Sequence, residues 1–192
     1  PRFILIALRP GDAEFFAWPL EAISKPTVGE TLVDLMAAGG WLGAENWAYK
    51  RATAIAPTLV GGSKKHGGPD LGPTRAKKQW LNLGVDGKGI ANEAPDARFP
   101  FDGTPRLTLR MAARIQGFPD TWRFEGGKTA SYRQIGNAFP PPVATSIGAS
   151  ILHALQNKYL ERDVRGAVGQ LRMLDKHPTR STRKAKILKK KP

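Results

Sequence analysis

The chain has 192 residues, 41% of them apolar, and a net charge of +14 from 30 Lys+Arg against 16 Asp+Glu. That length holds one ordinary domain, or a small domain plus part of another, and the charge points to a polyanionic partner. Zero cysteines exclude a disulfide framework and a cysteine-ligated metal site; His66, His153 and His177 are too scattered to suggest a histidine one, and no apolar run reaches the roughly 18 residues of a membrane span.

The chain begins without Met or a signal peptide, two residues before the apolar run Phe3-Ile4-Leu5-Ile6-Ala7-Leu8, which reads as a cut chain or as one processed to remove its start residue. Such a run suits a strand buried on both faces of a mostly parallel sheet. No neighbouring strand is obvious, so the rest of that sheet is expected on another chain or a removed segment. Thr27-Val28-Gly29-Glu30 has the form of a capping box, followed by apolar Leu32, Val33, Leu35 and Met36 and stopped at Gly39-Gly40. From Ala56 to Pro95, glycines and basic residues interleave without clear periodicity. Thr58 to Gly68 reads as a flexible basic loop, Trp80 and Leu81 as anchors, and Val85-Asp86-Gly87-Lys88-Gly89 as an Asp-Gly turn between short strands.

Leu109–Gln116 should be a short helix, with Thr108 as N-cap, Gly117 as stop and Pro119 barring continuation. Met111 stands where Glu or Gln would complete a capping box, so that box is expected to be incomplete. After Pro140-Pro141-Pro142, Val143, Ile147, Ile151 and Leu155 repeat every four residues and predict a helix to about Tyr159. Beyond Gly169 the chain becomes a Lys/Arg/Thr/Ser tail. Lys176–Pro192 holds eight Lys/Arg and no acid, leaving +6 of the +14 for residues 1–175.

Two phrases carry the functional signal: Arg106-Leu107-Thr108-Leu109-Arg110-Met111-Ala112-Ala113-Arg114-Ile115-Gln116-Gly117-Phe118-Pro119-Asp120, and Gln134-Ile135-Gly136-Asn137-Ala138-Phe139-Pro140-Pro141-Pro142-Val143-Ala144. In order and spacing they resemble the last two sequence blocks of DNA (cytosine-5)-methyltransferases. The resemblance implies an α/β (mixed) fold: the C-terminal part of a Rossmann-like methyltransferase dependent on S-adenosylmethionine, plus a small irregular, β-rich target recognition domain. It divides the chain into 1–10 (end of the catalytic sheet), 11–105 (recognition region), 106–160 (closing motifs) and 161–192 (basic, disordered tail).

By the same resemblance, Gly136, Asn137 and Ala138 face the methionine end of the cofactor, and Arg110 and Arg114 belong to a supporting helix. Arg2 is similar to a second arginine beside the flipped cytosine and is the one auxiliary catalytic candidate. Thr58 and Leu59 resemble a small recurring element of the recognition region. With Gly61, Gly62, Lys64, Lys65, His66, Arg75, Lys77 and Lys78 they are the candidate DNA contacts, glycines letting backbone approach phosphate and cations neutralising it.

The family attacks C6 of a flipped cytosine with a cysteine thiolate and methylates C5. This chain has no cysteine. The resemblance therefore implies a C-terminal part or subunit that supplies recognition and cofactor-pocket closure to a separate N-terminal catalytic half, and that is inactive alone. The implied partners are duplex DNA and that half, with no membrane and no metal. The implied setting is the bacterial cytoplasm or a phage-infected host, in a restriction–modification system or an orphan methylase. A noncatalytic DNA-binding module derived from such an enzyme is the alternative, and a basic RNA- or ribosome-associated protein a third reading.

Overall fold

The structure, a computed structural model, describes residues 3–21, 25–61 and 68–157. Helices dominate: α1 (Pro10–Ala13), α2 (Val28–Ala37), α3 (Ala44–Lys50), α4 (Thr74–Asn82), α5 (Leu109–Ile115), α6 (Lys128–Asn137) and α7 over 141–157. Among the described residues, β-structure amounts to two isolated bridges, Gly40 with Asp96 and Ala91 with Thr108. The expected β-rich recognition region is therefore not borne out among the described residues. Elsewhere its backbone is tied by loop-to-loop bonds, such as Asp86 N–H to Pro105 O at 2.9 Å and Leu71 N–H to Gly87 O at 3.0 Å. Recurrent Gly and Pro interrupt any two-residue alternation that could sustain a ladder.

Phe3–Leu8 also departs from expectation. It carries no strand, and Phe3 and Leu5 are 105% and 94% exposed. A strand is held by the backbone bonds of a neighbour, and none of the described residues supplies one. The Asp86-Gly87 turn forms without flanking strands: Asp86 Oδ1 accepts from Lys88 N–H at 3.0 Å, a local side-chain turn.

The chain divides into two compact units, residues 20–145 and residues 1–19 with 146–192. In the first, α2 packs on α3 and α5, and α5 on α6. The α2 capping box forms as read, with Glu30 N–H donating to Thr27 Oγ1 at 3.2 Å and Thr27 N–H to Glu30 Oε2 at 2.8 Å. Val28, Leu32 and Met36 then fall on one face and are buried. Short helices α3 and α4, not expected from periodicity, are held by single large residues. Trp47 is buried and donates Nε1–H to Gly84 O at 2.9 Å, and Trp80 is fully buried, whereas Leu81 is exposed.

The described part of the second unit is α1, its flanks and most of α7. Asp12 is buried and accepts from Arg9 Nε at 2.8 Å, and Phe16 meets Trp18 edge to face at 5.3 Å. Along α7, Ile147 and Ala154 are buried and Ile151 and Leu155 half-buried, which realises the apolar stripe apart from the exposed Val143. The basic tail lies outside the described residues.

Candidate functional site

The first phrase folds into α5 and a tight exit. Thr108 Oγ1 accepts from Met111 N–H at 3.2 Å, and Thr108 N–H points at Met111 Sδ at 3.4 Å. The expectation of an incomplete box is thus corrected: a thioether, a weak acceptor, closes it from inside the core, where Met111 is 1% exposed. At the far end Gly117 takes φ +85°. Gly117 N–H bonds to Arg114 O at 2.9 Å and Phe118 N–H to Ala113 O at 3.0 Å, a Schellman exit that only glycine enters without strain.

Both arginines of α5 act as braces. Arg110 donates to Trp122 O at 2.9 Å and Pro119 O at 3.3 Å. Arg114 holds Asp34 of α2 at 2.5 Å and also binds Asp120. Its hydrogen bonds hold the Asp34 and Asp120 carboxyls below their ordinary range, while the two carboxylates push the guanidinium further up. Arg114 is thus committed to carboxylates, whereas Arg110 is held by neutral carbonyls.

The second phrase forms the last turns of α6 and the entry to α7. This helix was not read from the sequence; in the structure Ser131, Tyr132 and Ile135 share a face and are buried. Gln116 joins the two phrases: its Nε2 donates to Ile135 O at 3.0 Å and Ala138 O at 3.4 Å, satisfying carbonyls at the C-terminal end of α6. Tyr132 is buried with its hydroxyl unpartnered among the described residues, and burial, then Asp70, pushes its pKa up.

Gly136 touches the segment that follows Thr58-Leu59. A Cβ on Gly136 would fall on Gly61 Cα and N, and one on Gly61 would stand 2.6 Å from Asn137 Oδ1. The start of the basic loop is thus packed on the residues matched to the cofactor. Leu59 and Gly61 are buried and act as anchors, while Thr58 is exposed. On α4, Arg75 and Lys78 are exposed and share a face, and Lys77 pairs with Asp70 at 2.7 Å. Arg2, Gly62, Lys64, Lys65 and His66 lie outside the described residues.

Buried Gly136, exposed Asn137 and half-buried Ala138 fit one wall of an S-adenosylmethionine pocket, Asn137 offering a donor and an acceptor to an amino-acid group. They do not enclose one. A cavity of about 520 Å³ lies elsewhere, between α2, α5 and α6, with Leu35, Met111 and Phe124 on its walls. Among the described residues no group of three or more His, Asp or Glu could hold a metal, and no helix is long and apolar enough to cross a membrane.

A family model described as C-5 cytosine-specific DNA methylase matches residues 2–153. The chain is 58% identical over 164 residues to the type II methyltransferase M.NaeI of Lentzea aerocolonigenes, covering 85% of this chain and 40% of that protein. It is 47% identical over 162 residues to the type II methyltransferase M.NgoMIV of Neisseria gonorrhoeae, covering 82% of this chain and 50% of that one. The chain thus spans about half the length of these relatives, or less. No solved structure matches it.

Proposed function

The chain belongs to the C-5 cytosine-specific DNA methylase family, and on that premise we propose that it is the C-terminal part, or a subunit, of a DNA (cytosine-5)-methyltransferase acting at a specific duplex site. The observation that carries this reading is the packing of Gly61 on Gly136 and Asn137, which joins the recognition segment to the cofactor-matched turn. Relatives named type II methyltransferases support a restriction–modification setting.

In this reading S-adenosylmethionine, when bound, supplies the methyl group. This chain's part is positioning. Asn137 binds the amino-acid end of the cofactor, with Gly136 and Ala138 forming the adjoining wall. Gln116 fixes the carbonyls of that turn, and Arg114 ties its supporting helix to α2. Thr58, Arg75 and Lys78 face the duplex together with the basic residues 64–66, Arg75 and Lys78 as exposed cations on one face of α4. Lys77 and Gly62 assist there, Leu59 and Gly61 hold the segment in place, and Arg2 serves at the flipped base.

Nothing in the chain can serve as the cysteine nucleophile. The exposed apolar residues Phe3, Ile4 and Leu5 support a catalytic half that covers them and carries that cysteine. The test of the recognition role is competition binding on a labelled mixed-sequence duplex. Unlabelled duplex should displace the probe and RNA of equal length should not. Preferential displacement by RNA would instead make the chain a basic RNA-associated protein.

A further inference from the structure

We propose that Lys88 and Lys128 form one seat for a single phosphate of the DNA backbone, a contact outside the basic loop and α4. The inference rests on the duplex-DNA reading above and adds a site to it.

The two lysines line one cavity of about 230 Å³, walled by residues 68–70 and 88–90 and closed by Lys128. Lys128 Nζ donates to Ile90 O at 3.0 Å and to Asn92 Oδ1 at 2.8 Å. Both acceptors are neutral, so they orient the ammonium without cancelling its charge, and one of its three donors remains. The first turn of α6 contains no acid that could cancel it either. Lys88 is exposed, and the carboxylate nearest in sequence, Asp86, is engaged by Arg106 at 2.8 Å.

The one carboxylate in the cavity wall is likewise occupied: Asp70 pairs with Lys77 at 2.7 Å and accepts from Gly72 N–H at 3.0 Å. The Arg106 guanidinium adds positive charge beside Gly89. The pairs Lys77–Asp70 and Arg106–Asp86 each match one cation with one carboxylate, which leaves the two wall lysines, Lys88 and Lys128, in excess at the cavity. An anion with several acceptor oxygens fits this arrangement, and on a duplex that anion is the phosphodiester.

The test is the slope of log Kobs against log salt concentration for a mixed-sequence duplex, measured on the full chain. A protein loses about 0.9 of slope for each phosphate it no longer neutralises. Because both lysines serve one phosphate, K88Q/K128Q should flatten the slope by about 0.9, equally for all sequences. K128R keeps the charge and should retain the wild-type slope, as should K50Q on α3. Flattening by about 1.8 would mean two separate contacts and overturn the shared seat. An unchanged slope in the double variant would remove both lysines from the interface while leaving the DNA reading intact. Failure of the wild-type chain to bind duplex at all would end both.

Discussion

Gly61 and Gly136 pack backbone against backbone, so neither position has room for a side chain. Gly136 sits on α6, whose C-terminal carbonyls Gln116 holds, while Gly61 lies in the basic loop 75 residues earlier. A methyl group on Gly136 would strike only main-chain atoms that cannot swing aside, Val60 C at 2.8 Å among them, whereas one on Gly61 would meet the Asn137 side chain first and Arg133 O at 2.8 Å. G136A should therefore destabilise the unit 20–145 by roughly 1–3 kcal/mol. G61A should do so too, and in addition displace the Asn137 amide. G68A, where a Cβ would meet nothing, is the control and should leave the denaturant midpoint nearly unchanged. Urea unfolding of the three variants checks this.

Removing Arg114 should loosen α5 from α2 and from the Phe118–Asp120 turn. Its side chain is 22% exposed, but Asp34 and Asp120 are 63% and 49% exposed, so solvent screens both pairs. R114A should cost about 1–2 kcal/mol, toward the low end for charge-assisted hydrogen bonds. R114K should recover only part of that, because an ammonium lacks the planar fork that spans two carboxylates.

The same network sets an acid dependence. Arg114 hydrogen bonds lower both carboxyls in the folded state, so the unfolded chain takes up these protons first as pH falls. The stabilisation is fully present above the unfolded carboxyl value, near pH 4, and is lost as pH drops through the lower folded values. The stability gap between wild type and R114A should therefore be constant near neutrality and shrink on acidification below about pH 5. A gap that persists to pH 2 would place the energy in Arg114 packing rather than in the ion pairs.

At α5 the cap rests on a hydroxyl and a thioether. T108A should cost about 1 kcal/mol, as N-cap truncations generally do, and T108S should restore most of it. Thermal unfolding of both variants measures the difference.

Much of this arrangement was legible because it is local. The Thr27–Glu30 box, the span of α5 and the Gly117 exit depend on residues a few positions apart. Helices α3 and α4 escaped because each is short and anchored by one tryptophan, which leaves too few apolar positions to make a period. Phe3–Leu8 reads as a strand from composition alone, yet pairing depends on a neighbour that composition does not reveal. Met111 misled in the other direction, since a thioether is not on the usual roster of capping partners but can reach the same N–H. The Gly61–Gly136 contact and the Lys88–Lys128 cavity join residues far apart in the chain, and no local pattern anticipates either.

In the proposed function this chain recognises duplex and closes a cofactor pocket while another part supplies the nucleophile. The direct measurement is transfer of labelled methyl from S-adenosylmethionine to mixed-sequence duplex DNA. It is run with the chain alone, and then with a separately expressed N-terminal half of a related type II methyltransferase carrying its cysteine and cofactor loop. Transfer only in the mixture, lost on N137A, is the predicted result. Transfer by the pure chain alone would contradict the account, and so would a mixture that binds duplex tightly yet transfers nothing, which would leave a noncatalytic DNA-binding module.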